Sequence, residues 1–125
     1  MSGPARSRQA AYRLGLRAET RAALALRLKG WRILARRFRS NGGEIDLIAR
    51  KGDTIAFVEV KARASRDAAL LSITPHAQRR IAAAARAWRS QAAAPDSATF
   101  RFDAVLIVPR RWPEHIADAF RPPDI

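Results

Sequence analysis

The sequence predicts an α/β domain in which helices flank a mixed central sheet. Three observations carry that prediction. A helical pattern runs from Ala10 to Lys29, two alternating apolar runs meet at Gly52-Asp53, and a helix opening with Thr74-Pro75 separates that pair from the most hydrophobic run, Arg101 to Val108. A Gly-Asp loop between alternating runs makes an antiparallel hairpin. A long helix between two strands is the connection that parallel neighbours require. A sheet that holds both is mixed.

The first element has Tyr12, Leu16, Glu19, Ala23 and Leu26 on one face at spacings of three and four. Leu24 and Leu28 fall off that stripe. Glu19 is an acid within it, read either as a marginal carboxylate paired with Arg13 or Arg17, or as a third carboxylate aimed at the hairpin. Gly30 ends the helix. Trp31 to Phe38 reads as the first strand, with Arg36, Arg37 and Arg39 near its end. Ser40-Asn41-Gly42-Gly43 is a turn in which glycine allows close backbone approach, by a phosphate or by the turn itself. The second and third strands form the hairpin. Ala62 to Ile73 has no period and is expected to be a loop, with Arg63 and Arg66 as phosphate contacts. Thr74 caps a helix reaching about Ala92, with Ala77, Ile81, Ala84, Ala85 and Trp88 inward and Arg79, Arg86 and Arg89 outward. Arg101 to Val108 is a buried strand, with Asp103 placed to neutralise an arginine. Trp112 to Phe120 caps the domain, and His115 reads as structural.

Length allows one domain with a real core. Residues 1–9 are expected to be a basic disordered tail and 10–125 a single domain. The absence of cysteine excludes disulfides and thiolate metal sites, and His76 and His115 alone do not make a multi-histidine zinc site. No apolar run approaches transmembrane length, and the N-terminus has no secretory h-region. A cytoplasmic location without a membrane partner is expected. The formal net charge of +13 points to polyanions, nucleic acid first.

Against that charge, four of the eleven acids lie between Glu44 and Glu59, and the hairpin explains why that matters. With Gly52-Asp53 as the loop, opposed positions sum to 105, so Asp46 faces Glu59 and Glu44 faces Lys61. All four share a face with Ile48 and Phe57, while Ile45, Leu47 and Ala49 meet Val60, Val58 and Ala56 on the other. This register is an assumption, since a one-residue slip would put the acids on opposite faces. Facing carboxylates repel unless a divalent cation sits between them. The hairpin therefore reads as a metal-dependent phosphodiesterase site. The alternative is a surface ion-pair cluster.

Asp46 on one strand and Glu59-Val60-Lys61 on the next resemble the PD-(D/E)xK signature of the restriction-endonuclease-like superfamily. Gly30-Trp31-Arg32-Ile33-Leu34, Gly42-Gly43-Glu44-Ile45-Asp46-Leu47-Ile48-Ala49 and Phe57-Val58-Glu59-Val60-Lys61-Ala62-Arg63 resemble the YraN family of small bacterial proteins. The likeness covers most of the chain from Glu19 onward. It implies an α-β-β-β-α-β core and a Mg²⁺ or Mn²⁺ ion held by Asp46, Glu59 and the Val60 carbonyl. It also implies that Lys61 orients or activates the attacking water, that Glu19 joins from the first helix, and that Glu44 stands behind the ligands. Arg36, Arg37, Arg39, Arg63, Arg79 and Arg86 would hold the nucleic-acid backbone. The implied activity is an endonuclease, structure-selective on branched DNA, for which a homodimer would be suited; a non-catalytic nucleic-acid-binding accessory module is the rival. Ala77 departs from the family, which usually has lysine there.

Overall fold

The structure is a computed structural model that describes residues 4–122, the side chains of residues 4–7, 11 and 12 excepted. The elements run α1 (Pro4–Leu28), β1 (Arg32–Ser40), β2 (Gly43–Lys51), β3 (Thr54–Ala62), α2 (Arg66–Leu71), α3 (Pro75–Gln91), β4 (Thr99–Ile107) and β5 (Glu114–Ile116). The strands lie in sequence order in one sheet. Among the described strands only β3 and β4 pair in parallel, and α2 and α3 fill the connection between them. The fold is thus α/β with a mixed sheet flanked by helices, compatible with a restriction-endonuclease-like core.

The two faces of the sheet bury separate cores. Ala18, Ala22, Ala23 and Leu26 of α1 cover Leu47, Ala49, Ala56, Val58 and Val105. Ile81, Ala84 and Ala85 of α3 cover Ile45, Ile48, Ile55, Phe57 and Phe102. Each helix turns a narrow stripe inward, as its periodicity requires. Leu24 and Leu28, off that stripe, are exposed. Tyr12, assigned to it, has its side chain outside the described residues. Helix α1 begins at Pro4 rather than Ala10, so residues 4–9, expected to belong to a disordered tail, are helical; residues 1–3 lie outside the description.

Two further segments differ from expectation. The stretch read as a loop contains α2, six residues capped by Ser65, whose hydroxyl accepts from the Ala68 N–H. A helix that short shows no readable period. Within the capping segment, Glu114–Ile116 adds an edge strand against β4.

Gly42 makes the β1–β2 turn at φ 95°. Gly43 answers a different need: a Cβ there would run into the Arg80 carbonyl of α3. The close approach anticipated at this glycine pair is therefore by a helix backbone. Gly43→Ala should cost about 1–3 kcal/mol, because backbone rather than a pliable side chain must move; urea unfolding would measure it, and a midpoint within error of wild type would refute the contact.

Candidate metal and nucleic-acid site

The hairpin register holds from the turn inward, with Lys51 opposite Thr54 through Leu47 opposite Val58. The ladder then stops. At the next position Asp46 Oδ2 accepts from the Val60 N–H at 2.8 Å, so its side chain takes a backbone donor of β3. On the other side, the β1 residue aligned with Asp46 is Arg37, which has φ 53°. A left-handed arginine within a strand is uncommon and costs roughly 1 kcal/mol or more. Both strands change parity across this pair. Ile45 consequently packs under α3 beside Ile48, not on the Leu47 face where strict alternation put it. The irregularity lies at the candidate site, and sequence alternation gave no sign of it.

Asp46 and Lys61 line two clefts, one on each side of the sheet. The α3-side cleft, about 380 Å³, also has Glu44, Glu59, His76 and Arg80. The α1-side cleft, about 310 Å³, has Glu19, Arg37 and Arg63. The Glu59 side chain is 12% exposed, and Lys61 Nζ lies 3.9 Å from its Oε2. Burial raises the Glu59 carboxyl well above the usual range; a side-chain hydrogen bond to Asp46, the Asp46 charge and the more distant Glu44 add to this, and Lys61 opposes it. Burial beside Asp46 thus favours the protonated form of Glu59.

Glu19 lies on the opposite face from Glu59. Its carboxylate is held by Arg36 (3.3 Å) and Arg37 (3.5 Å), and Arg36 also reaches the Thr20 hydroxyl. Burial raises its pKa, the two arginines oppose that, and the Asp46 charge adds to it. The reading of Glu19 as paired with Arg13 or Arg17 fails on partner, because the cations come from β1. Among the described residues, no three of the His, Asp and Glu side chains form a ready metal-binding group.

Arg36 and Arg37, expected on phosphates, are engaged with Glu19. Arg39 pairs with Glu44 at 3.4 Å on the surface, which gives Glu44 Arg39 as its ion-pair partner. Arg66 forms a two-pronged bond with Glu114. Arg63 is exposed and donates to its neighbour's carbonyl, Ala62. Arg79 and Arg86 are exposed on α3. His76 and Arg80 are site-lining residues that periodicity missed, because their place depends on how α3 meets the hairpin. Ala77 lines this cleft too, and Arg80, one turn on, supplies it with a cation.

The donor set fits a hard dication in kind: two carboxylates and backbone carbonyls, with no sulfur. The upward push on the Glu59 carboxyl marks a place that a further positive charge would relieve.

Comparison with known sequences agrees with the resemblance. A model described as "Uncharacterised protein family UPF0102" matches residues 18–107, a span reaching from α1 through β4. A UPF0102 protein of Parvibaculum lavamentivorans is 56% identical over 113 residues, covering 90% of this chain and 85% of its own length. One from Rhodopseudomonas palustris is 56% identical over 119 residues, covering 94% and 91%. A third, from Methylorubrum populi, is 54% identical over 117 residues and covers 94% of both. With the match spanning every element that lines the two clefts, this chain belongs to the UPF0102 (YraN) family.

Proposed function

We propose that this protein is a metal-dependent nuclease that hydrolyses phosphodiester bonds in nucleic acid, with DNA the favoured substrate. The observation that carries the reading is the Glu59 side chain, largely shielded from water beside Lys61 and sharing a cleft with Asp46, where Asp46 and Lys61 join two clefts. Two carboxylates drawn together out of water are costly even with one lysine at 3.9 Å, and such groups cluster where charge is handled.

Asp46, Glu59 and the Val60 carbonyl would hold Mg²⁺ or Mn²⁺. The bound ion polarises a phosphoryl oxygen and lowers the pKa of a coordinated water. Asp46 is positioned for ligation by its bond from the Val60 N–H. Lys61 offsets charge gathering on the phosphate oxygens. Glu19 acts from the α1 cleft beside Asp46, where it is also the counter-charge that fixes Arg36 and Arg37. Arg63, Arg79 and Arg86 hold the backbone, so binding weakens steeply with salt.

One observation favours the rival, a non-catalytic nucleic-acid-binding module: the acids form a pair, with Glu19 engaged elsewhere. The two readings separate on end-labelled single-stranded, duplex, flapped and four-way DNA, with Mg²⁺, Mn²⁺ or EDTA. Metal-dependent cutting should appear in wild type and fall by roughly 10²–10³ in Lys61→Met, while Mn²⁺ binding by calorimetry persists. Cutting that survives in EDTA would refute the site; binding without cutting under either metal would favour the module.

A further inference from the structure

Beside the α1-side cleft lies a larger concavity of about 550 Å³, between α1 and the carboxyl ends of the parallel pair β3 and β4. Its walls are apolar, with Leu14, Ile107 and Pro109 contributing, and its rim carries Arg17, Arg21 and Arg63. No carboxylate lines it among the described residues. Leu14 is 60% exposed, a large apolar side chain at the mouth of an apolar hollow. Leu14, Ala18, Ala62 and Arg63 border both this hollow and the cleft that holds Asp46 and Lys61, so the two are continuous.

We infer that this hollow receives one unpaired nucleobase of the substrate, next to the phosphate that meets Lys61. The inference rests on the nuclease reading for the position of that phosphate, and it sharpens the substrate to nucleic acid with a single-stranded nucleotide at the cut.

Shape, charge and access carry the argument. The volume falls within the roughly 300–1,000 Å³ of ligand-sized clefts. An apolar floor ringed by guanidinium groups complements a flat, weakly polar base flanked by phosphates, and apolar side chains take extruded bases in just this manner. A paired base is stacked inside its duplex and reaches no such floor, so a duplex can use only the arginine rim. Continuity with the Asp46–Lys61 cleft selects nucleic acid over an acidic peptide, because the same strand spans both.

The test is binding in EDTA, read by fluorescence anisotropy with a labelled oligothymidylate and a blunt duplex of equal length. Wild type should prefer the single strand. Ala64→Trp places a ring at an exposed position lining the hollow and should lower single-strand affinity about tenfold, the order of one lost base contact, with duplex affinity unchanged. Leu14→Gln, also at an exposed position, should do the same without adding charge to the arginine rim, and checks that the loss is not a folding defect of the first variant. Equal losses on both probes, or no loss on either, would overturn the inference. So would a wild-type dimer that either variant dissociates, since the hollow would then face a second copy. Cleavage with Mn²⁺ is scored separately: selective binding without cutting sinks the nuclease reading and leaves the base site, and cutting without selectivity does the reverse.

Discussion

Replacing Glu59 by glutamine should abolish divalent-ion binding and cleavage while making the protein more stable at pH 8. The carboxyl is pushed upward first by burial and then by its hydrogen bond to Asp46 and the Asp46 charge. A group whose folded pKa is raised gives its full stability below the unfolded value, about 4.3 for glutamate, and loses it as pH climbs through the folded value. Wild type should therefore lose stability progressively above about pH 4.5. At pH 8 the folded state holds a proton that the unfolded chain has released. Glutamine carries a permanent N–H for Asp46 and no charge to bury, so its stability curve should be flatter across that window and higher at pH 8 by about 2 kcal/mol, the middle of the range for removing an ill-compensated buried charge. The same change removes one of the two carboxylates offered to the ion. Several kcal/mol of transition-state stabilisation go with the ion, so cleavage should fall roughly 10³-fold or more. In wild type, loading with Mn²⁺ should release a proton, and affinity should rise with pH. Calorimetric unfolding at pH 5 and pH 8, with Mn²⁺ titrations of both proteins, measures each part. A glutamine variant that binds Mn²⁺ like wild type, or is less stable at pH 8, would remove Glu59 from the site.

What could be read from the sequence divides at Asp46. From Lys51 to Leu47 the register is local, because a Gly52 at φ 60° and a two-residue turn set it. Beyond Leu47 it is tertiary: the Val60 N–H bonds a side chain, and Arg37 adopts a conformation that residue type does not advertise. The parallel crossover was legible because Thr74 and Pro75 mark a helix start and a helix of that length forces a return to the sheet. The three residues of β5 and six of α2 are too short to carry a period. For the arginines, the sequence revealed the charge and not the partner. Arg36 and Arg37 looked free for phosphate until the fold placed Glu19 against them. Asp46, Glu59 and Lys61 do line one cleft, although the ladder expected to set Asp46 against Glu59 ends at Leu47, and Glu19 came in on the opposite face of the sheet. Its position depends on helix docking, which periodicity constrains only to a stripe.

Asp103→Ala should be among the most damaging single changes to the fold. Asp103 is fully buried in β4, and its two oxygens are taken up by three groups. Arg101 donates to both at 2.8 Å, His115 Nε2 lies 2.7 Å from Oδ2, and the Asp118 N–H donates to Oδ1 at 2.9 Å. The exposed Lys29 ammonium donates to His115 Nδ1 at 3.1 Å, which leaves Nε2 as the nitrogen that donates to Asp103. This carboxylate thus pins the start of β4, the edge strand β5 and the end of α1 together. Removing it strands a guanidinium, an imidazole N–H and a backbone N–H at once. Breaking one side of a buried charged network costs about 3–5 kcal/mol, a large share of the roughly 5–15 kcal/mol that holds a domain together. The midpoint of thermal unfolding should fall by roughly 10–20 °C. The pH profile supplies an independent reading. Burial alone would raise this carboxyl, but the bonds from His115, Arg101 and the Asp118 N–H outweigh it and hold it at about 2. A depressed pKa gives stability that is present above the unfolded value, near 3.8, and lost as pH falls toward 2. Wild type should lose about 2 kcal/mol across that interval from this residue. Asp103→Asn keeps the shape and one acceptor oxygen, so it should begin less stable than wild type, suffer less than the alanine variant and lack this acid-dependent loss. An alanine variant within about 1 kcal/mol of wild type, or an asparagine variant with an unchanged acid profile, would mean that Arg101 and His115 find other partners and that β5 is held by packing alone.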